Sequence, residues 1–435
     1  MNRLLNSLLL LIALVPISCK KDHASIASTH RYKITLVSGG GQSDTIGNGL
    51  KEYIFFKLTY DDDTLSNGFI RFQVYNCDNN LQSTQIPIGK NAGNSVLQIS
   101  YYWRLNSTIG TQSLKAILLD SLERPQDSVV VNATGIAPGR GWYSSGCLPL
   151  NPSFAGLALQ PTGRVLGFYR TGDYPYYSDD EGITWHKLTT FQGNYAINNI
   201  ITTPANEIFI FVPNTGVFYS ADGGQSWEKR ISGLTIDNLS QNLQYTKSGK
   251  LLLPTFSGLF ISADKGLSWH LANAPGPYGG FSNTQSMSNG TLIAISDHHL
   301  FKSTDGGENW ADIWSTDAHH MFSLFIDDND DLYSGEVDGI YVSKDTGQTW
   351  NKFYQSDPIP NYAGTVTAIT KQNGAYYFYA TEKNLLMHTF EGVHFDHVTF
   401  PLGDNYGRES FCYILSANNH VIVSNEQYGL FYFIP

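Results

Sequence analysis

The chain of 435 residues has little charge, little methionine and little cysteine. Charged residues make up only 15% of it, and 38 acidic residues against 27 basic ones leave a net charge of −11. This shortage of positive charge removes the attraction on which binding to nucleic acid or to anionic lipid depends. We therefore expect no nucleic-acid partner.

Several catalytic motifs are also missing. The sequence contains no Gly-x-Ser-x-Gly turn, no phosphate loop that ends in Gly-Lys-Ser/Thr, no His-Glu-x-x-His and no Cys-x-x-Cys. These absences argue against serine-hydrolase, nucleotide-dependent and redox enzymes. We expect no cofactor.

No apolar run of 18 residues follows the N-terminus, so no later segment is long enough to cross a membrane as a helix. The N-terminus itself carries one positive charge at Arg3, a short apolar run from Leu8 to Val15, and then Ser18-Cys19. This order is typical of a secretory signal.

The cysteine after a small residue resembles the lipobox of bacterial lipoproteins, although Pro16 stands where that family usually has Leu. The resemblance implies a signal peptide over 1–18, a lipid on Cys19 that anchors the chain to the outer membrane, and a polar tether over 19–30. Soluble secretion is the alternative.

The chain is rich in Gly (41), Tyr (26) and Phe (24), a composition typical of a turn-rich β protein. Residues 31–135 alternate strand-like runs with Gly, Asn and Asp clusters, which predicts a β-sandwich. Its segments 102–105 and 110–116, with Gly39-Gly40-Gly41-Gln42 near the start, resemble invasin-type bacterial immunoglobulin-like domains. This resemblance implies a spacer or a support for binding, without chemistry.

A motif of the form Ser-x-Asp-x-Gly-x-Thr-Trp recurs five times in the rest of the chain. Its tryptophans are spaced by 42, 42, 41 and 40 residues. A period near 40 with about four strands per unit predicts the blades of a β-propeller. The repeated residues are Asp180, Asp222, Asp264, Asp305 and Asp345 with Trp185, Trp227, Trp269, Trp310 and Trp350.

The motif is identified as the Asp box, or BNR repeat, and the region resembles the Asp-box propellers of sialidases, xyloglucanases and sortilin-like receptors. Its residue types suit a structural role. A carboxylate can accept backbone N–H groups across a tight turn, Gly can adopt positive φ, and Trp can pack between blades. We therefore expect the five aspartates to be structural.

The repeat extends beyond these five copies. A degenerate sixth copy of the motif keeps Gly392 and Phe395. At the other end of the repeat, Trp142 lies 43 residues before Trp185. Seven terminal aromatics predict a seven-bladed propeller over 138–435. Its last blade would combine three C-terminal strands with one strand near Trp142, because such a closure removes exposed sheet edges.

This closure would bring Cys147 and Cys412 into one neighbourhood, so a disulfide between them is one prediction. The alternative is that both, like Cys77, are buried thiols.

In the propellers that this region resembles, the ligand face lies opposite the Asp boxes, on the turns between second and third strands and on the connections between blades. Tyrosine rings can stack on sugars, and carboxylates can accept sugar hydroxyls, so this face suits a glycan or a protein. An ordinary acidic surface would have a similar composition. The candidate residues are Arg170, Asp173, Tyr174, Tyr195, Tyr278, His298, His319, Glu336, Asp338, Tyr362, Tyr406, Arg408 and Tyr428.

Sialidases hold their substrate carboxylate with three arginines, and only Arg170 and Arg408 map to this face. The Phe/Tyr-Arg-Ile-Pro motif of that family is also absent. Another glycosidase would need two carboxyl groups about 5 to 9.5 Å apart, and the sequence does not select a pair. The adjacent histidines 298–299 and 319–320 would point to opposite faces of a strand, so we predict no metal site.

The sequence thus predicts an all-β cell-envelope lipoprotein. Its propeller would bind a glycan or protein ligand without catalysis. A glycoside hydrolase is the first alternative, and an assembly or scaffold factor is the second.

Overall fold

The structure is a computed structural model. It describes residues 32–47, 49–59, 68–76, 80–88, 96–139, 141–146, 148, 154–169, 174–192, 196–235, 243–255, 258–274, 281, 283–296, 298–315, 321–336, 338–355, 366–380, 385–390, 392, 394–399, 412–425 and 429–435. Within these ranges every regular element is a β-strand. No helix in this part of the chain is long and apolar enough to cross a membrane.

The first eight strands form what we call the N-terminal unit, which has two sheets. Three strands pair in the order β1-β3-β6 and five in the order β2-β8-β7-β4-β5 once the strands are numbered along the chain. The strands are β1 (Lys33–Ser38), β2 (Ser43–Thr45), β3 (Ile54–Thr59), β4 (Phe69–Tyr75), β5 (Leu81–Pro87), β6 (Val96–Tyr101), β7 (Gly110–Leu119) and β8 (Pro125–Ile136).

Alternation along these strands creates one shared core. In β3 the side chains of Ile54, Phe56 and Leu58 are buried, while Phe55 between them is exposed. Successive residues of a strand point to opposite faces, so one face of each sheet is apolar. Phe56 packs on Phe72 of the other sheet with ring centroids 5.5 Å apart, which joins the two sheets face to face.

The strands that follow form seven four-stranded antiparallel sheets in the described residues, which we number ring sheets 1 to 7. The first strand, β9 (Gly141–Ser144), belongs to the last of them.

Ring sheets 1 to 3 are β10 (Gly156–Leu159), β11 (Val165–Phe168), β12 (Pro175–Ser178) and β13 (His186–Lys187); β14 (Asn199–Thr202), β15 (Ile208–Val212), β16 (Gly216–Ser220) and β17 (Glu228–Arg230); and β18 (Gln244–Tyr245), β19 (Leu251–Thr255), β20 (Gly258–Ser262) and β21 (His270–Leu271).

Ring sheets 4 and 5 are β22 (Asn283–Ser286), β23 (Leu292–Ser296), β24 (His299–Ser303) and β25 (Ala311–Ser315); and β26 (Ser323–Ile326), β27 (Leu332–Glu336), β28 (Gly339–Ser343) and β29 (Asn351–Gln355). Ring sheet 6 is β30 (Val366–Gln372), β31 (Ala375–Ala380), β32 (Leu385–Thr389) and β33 (Asp396–Thr399). Ring sheet 7 is β34 (Cys412–Ala417), β35 (His420–Asn425) and β36 (Gly429–Ile434), with β9.

Consecutive ring sheets pack on each other through buried apolar side chains. Some middle strands are apolar on both faces, as in β15, where all five residues are buried. Each neighbouring pair of sheets shares a buried cluster, and ring sheet 7 shares one with ring sheet 1, in which Tyr432 and Ile422 join Phe154 and Trp185. The sheets therefore close into a ring.

The turn between the third and fourth strands of each of ring sheets 1 to 5 is held by an aspartate. The carboxylate of Asp345 accepts bonds from the backbone N–H of Thr349 (2.8 Å) and from the hydroxyls of Thr349 (2.5 Å) and Ser343 (2.8 Å). These bonds lower the pKa of Asp345 to about 2. The glycine of this turn, Gly347, has φ +87°, which L side chains rarely adopt.

Tryptophans that end these turns pack on aromatic side chains nearby in the ring, as Trp185, Trp227, Trp310 and Trp350 do. The indole of Trp185 donates to the carbonyl of Gly182 (3.0 Å) and lies edge-on to Phe154, with ring centroids 4.8 Å apart. The indole of Trp310 likewise donates to the carbonyl of Gly307 (2.7 Å), and its ring lies tilted at 47° to that of Phe281 with centroids 4.7 Å apart.

The N-terminal unit meets the ring at two glycines. A Cβ placed on Gly146 would lie 2.4 Å from the Cα of Gly47, so the two backbones are in direct contact. Beside them the guanidinium of Arg104 donates to the carbonyl of Leu148. The two parts of the molecule are therefore joined by backbone contact as well as by the covalent chain.

Candidate ligand-binding sites

Four of the candidate residues of the predicted face are described: Tyr174, His298, Glu336 and Asp338. They do not form one group. Tyr174 precedes β12 in ring sheet 1 and has the Lys187 ammonium 5.7 Å above its ring, whereas Glu336 and Asp338 belong to ring sheet 5. The remaining candidates lie outside the described residues: Arg170, Asp173, Tyr195, Tyr278, His319, Tyr362, Tyr406, Arg408 and Tyr428.

The structure also does not describe the predicted lipidation site or the side chains of the predicted cysteine pair. Cys19, Cys77 and Cys147 lie outside the described residues, and Cys412 is described only through its backbone. Its strand β34 and the strand β9 stand at opposite edges of ring sheet 7. The disulfide remains a prediction.

His298 precedes β24, whose first residue is His299. The imidazole of His299 makes a contact of 2.7 Å with the carboxylate of Asp312 on β25. In the described part of the chain, no group of three or more His, Cys, Asp or Glu side chains is placed to hold a metal ion.

A pocket of about 220 Å³ lies between ring sheets 4 and 5 and is lined by Trp314, Glu336, Tyr341 and Trp350. We call it the Glu336 pocket. Trp314 comes from β25, Glu336 ends β27, and Trp350 ends the Asp-box turn. The indole rings of Trp314 and Trp350 are 6.0 Å apart at an angle of 52°. Glu336 is only 2% exposed, so this pocket has aromatic walls and a buried carboxylate.

Asp338 follows Glu336 across the tight turn between β27 and β28 and is held by two donors. The Lys352 ammonium lies 2.6 Å from its carboxylate, and the Tyr341 hydroxyl donates to it at 3.1 Å. Partial burial by itself would raise the pKa of Asp338, but these bonds outweigh it and lower the pKa below its ordinary value. Asp338 is therefore an anion at neutral pH.

The geometry suits binding of a polar ligand with an apolar face. Indole and phenol rings can stack on such a face, and a buried carboxylate can accept its hydroxyl or amide hydrogens. Of the residues that line the pocket, Glu336 is among the candidates predicted from sequence, and Trp314 and Tyr341 are not. Trp314 had a signal in the sequence, since it is the one tryptophan after residue 138 that is not a terminal aromatic of the repeat.

A second cavity, of about 670 Å³, lies between the N-terminal unit and ring sheet 1. Sequence reasoning did not predict it. Its walls come from β4, β5 and β6 on one side and from β12 and β13 on the other.

A ring of four-stranded sheets, five of which carry an Asp-box turn between their third and fourth strands, defines a BNR-type β-propeller. Consistent with this class, the BNR/Asp-box repeat family matches residues 176–187 and 218–229. No curated protein matches the chain in sequence.

Solved structures resemble the chain in fold. YCF48 bound to a D1 peptide is 16% identical with a TM-score of 0.54, over 68% of this chain and 98% of that one. The extracellular domain of BT4673 from B. thetaiotaomicron is 9% identical with a TM-score of 0.54, over 67% of this chain and 40% of that one. An ancestral GH74 enzyme is 14% identical with a TM-score of 0.46, over 74% and 51%. The similarity to YCF48 and to BT4673, at these identities, concerns the fold alone.

Proposed function

We propose that the chain is a cell-envelope lipoprotein whose propeller binds a glycan or protein ligand without catalysis. In this proposal residues 1–18 are the signal peptide, Cys19 carries the lipid, and 19–30 are the tether. An immunoglobulin-like sandwich over 31–135 then carries a seven-bladed propeller over 138–435. The two packed sheets of the N-terminal unit and the seven ring sheets support this division.

The observation that carries the binding function is the Glu336 pocket. Glu336, which is 2% exposed, lines a cavity together with two indoles and a phenol. Such a convergence of aromatic surface and a few polar groups is typical of ligand sites.

The state of Asp338 favours binding over glycoside hydrolysis. A glycosidase of the two-carboxyl type needs one carboxylic acid with a raised pKa to protonate the leaving group. The Lys352 and Tyr341 donors move the pKa of Asp338 in the opposite direction. Asp338 is thus a poor candidate for this acid, and Glu336 is the carboxyl group that the pocket offers to a ligand as an acceptor.

The solved structure of YCF48, a protein of similar fold, holds a D1 peptide. For this reason the proposal includes a protein ligand beside a glycan. The choice between them is left to experiment.

The test is a glycan array and a peptide array, run beside an assay for release of reducing sugars. We expect binding without release. Glu336→Gln replaces one carboxyl oxygen of the pocket by an NH2 donor, and we expect it to weaken binding about tenfold, because a buried hydrogen-bonding group left without a match costs about 1–3 kcal/mol.

The matched control is Glu228→Gln, the same change on the exposed strand β17, which should bind like the unaltered protein. Circular dichroism and thermal unfolding would verify that both variants fold. Release of sugar would replace our proposal by the hydrolase, and no binding on either array would favour the scaffold factor.

A further inference from the structure

The cavity between the N-terminal unit and ring sheet 1, which we call the junction cleft, has the dimensions of a ligand site. Its volume of about 670 Å³ lies within the range of about 300–1,000 Å³ that is usual for small-ligand pockets. It is far from the Glu336 pocket in the ring, because ring sheet 1 and ring sheet 5 are not neighbours.

The walls of the junction cleft are aromatic on both sides. Trp103 of the N-terminal unit and Trp185, which precedes β13, line it and are buried, with exposures of 2% and 1%. Tyr75 and Tyr102 at the rim are 53% and 46% exposed. On the opposite wall Tyr177 lies against the His186 ring with centroids 5.4 Å apart.

The charge of the junction cleft is opposite to that of the protein. Arg104 and Lys187 line it, and among its described lining residues there is no Asp or Glu. The whole chain carries a net charge of −11, so a lining that holds cations alone stands out. Asp179, two residues after the lining residue Tyr177, is already paired with another cation: the Arg164 guanidinium donates to both of its carboxylate oxygens, at 2.6 and 2.9 Å.

We propose that the junction cleft is a second binding site, which takes an oligosaccharide that carries carboxylate groups. The tyrosine rings stack on sugar rings, and Arg104 and Lys187 pair with the carboxylates. Gln82 and Thr189, which also line the cleft and are exposed, exchange hydrogen bonds with sugar hydroxyls. This site is independent of the ligand proposed for the Glu336 pocket.

Binding would also hold the two parts of the molecule in one arrangement. The cleft has one wall in the N-terminal unit and the other in ring sheet 1, so a ligand that contacts both walls stabilises their contact. The N-terminal unit is then part of a binding site as well as a spacer.

The test is calorimetric titration of the full folded chain with tetragalacturonate and with the same tetramer as its methyl ester. We expect the acid to bind and the ester to bind at least tenfold more weakly, because esterification removes the charge and leaves the rings. We also expect affinity for the acid to fall as salt rises.

Two variants locate the site. Lys187→Gln and Tyr102→Ala should each weaken binding of the acid about tenfold, whereas Lys229→Gln, the same change on β17 of ring sheet 2, should not. Lys187 and Tyr102 are exposed, so neither change should impair folding, and thermal unfolding would check this.

Four results would overturn the proposal. They are no binding of the acid, equal binding of acid and ester, binding that the two variants leave unchanged, and binding of a Glu-rich peptide alone through the same residues. If Glu336→Gln lost binding of the acid while Lys187→Gln bound it normally, the saccharide would bind in the Glu336 pocket and not in the junction cleft. The two variants therefore distinguish failure of this proposal from failure of the proposed function.

Discussion

Phe433 of β36 lies opposite Trp142 of β9 in an antiparallel pair, although the two strands come from opposite ends of the ring-forming segment. The next pair of this ladder, Tyr432 and Tyr143, has stacked rings 5.5 Å apart at 19°. The last strand of the chain thus completes the same sheet as the first strand of the ring. Closure leaves no open end at which the ring sheets lose a neighbour.

The buried side chains of β36 should therefore matter greatly for stability. Phe431 is 3% exposed and packs between ring sheets 6 and 7. We expect Phe431→Ala to lower the free energy of unfolding by about 3–5 kcal/mol, as for other buried phenylalanines. Urea denaturation measures it. Phe390→Ala is the control, because Phe390 is 64% exposed and its loss should change stability by about 0.5 kcal/mol or less. Equal effects would contradict the packing of Phe431 between ring sheets 6 and 7.

The Asp-box carboxylates predict a loss of stability in acid. Hydrogen bonds from Asn309 lower the pKa of Asp305 to about 2, and those from Thr349 do the same for Asp345, against an ordinary value of 3.8. A carboxyl group whose pKa is lower in the folded state stabilises the fold above its unfolded pKa, and this contribution disappears as the pH falls through the folded pKa. We therefore expect the stabilising contribution of these two carboxylates to disappear between about pH 4 and pH 2.

Thermal unfolding midpoints measured between pH 2 and pH 7 test this. The double variant Asp305→Asn/Asp345→Asn should be less stable at pH 7 and should lose less on acidification than the unaltered protein. An unchanged pH profile would contradict a structural role for these carboxylates.

A buried hydrogen-bond chain joins ring sheets 5 and 6. The Tyr333 hydroxyl donates to that of Tyr376 (2.9 Å), which in turn donates to the carboxylate of Asp327 (2.7 Å). The Asp327 side chain is fully buried. Burial by itself would raise its pKa, but the Tyr376 bond and two backbone N–H bonds outweigh burial and lower it.

Removal of the donor to the charged group should therefore have the larger effect. We expect Tyr376→Phe to lower the free energy of unfolding by about 1.5–3 kcal/mol and Tyr333→Phe, which removes a bond between neutral groups, by about 0.5–1.5 kcal/mol. Chemical denaturation of both variants gives the comparison. A larger loss of stability for Tyr333→Phe than for Tyr376→Phe would show that the buried Asp327 carboxylate is not stabilised mainly by the Tyr376 hydroxyl.

The Asp-box turns could be predicted from sequence because they are local. In the turn around Asp345, every donor and acceptor lies within seven residues, so the motif and its geometry coincide. The strand pairing of β36 with β9 could be anticipated as well, since a repeat counted along the chain leaves one strand missing at one end and one extra at the other.

The ligand sites could not be predicted in the same way. The Glu336 pocket needs Trp314 from one ring sheet and Trp350 from the next, and their contact depends on how two sheets pack. The junction cleft depends on how the N-terminal unit contacts ring sheet 1. No periodicity or motif encodes that contact, which rests on the backbones of Gly47 and Gly146.

That glycine contact makes a prediction about the junction. A Cβ added at Gly146 would lie 2.4 Å from the Cα and 2.7 Å from the carbonyl carbon of Gly47, and backbone atoms cannot move aside as a flexible side chain can. Gly146→Ala should therefore shift the N-terminal unit away from ring sheet 1 and widen the junction cleft, while the ring itself stays folded. Small-angle X-ray scattering should show a larger radius of gyration, and tetragalacturonate should bind more weakly. Gly139→Ala is the matched control, because its Cβ would meet only the Tyr143 hydroxyl at 3.6 Å. If both variants scatter like the unaltered protein, the two glycines do not set the position of the N-terminal unit.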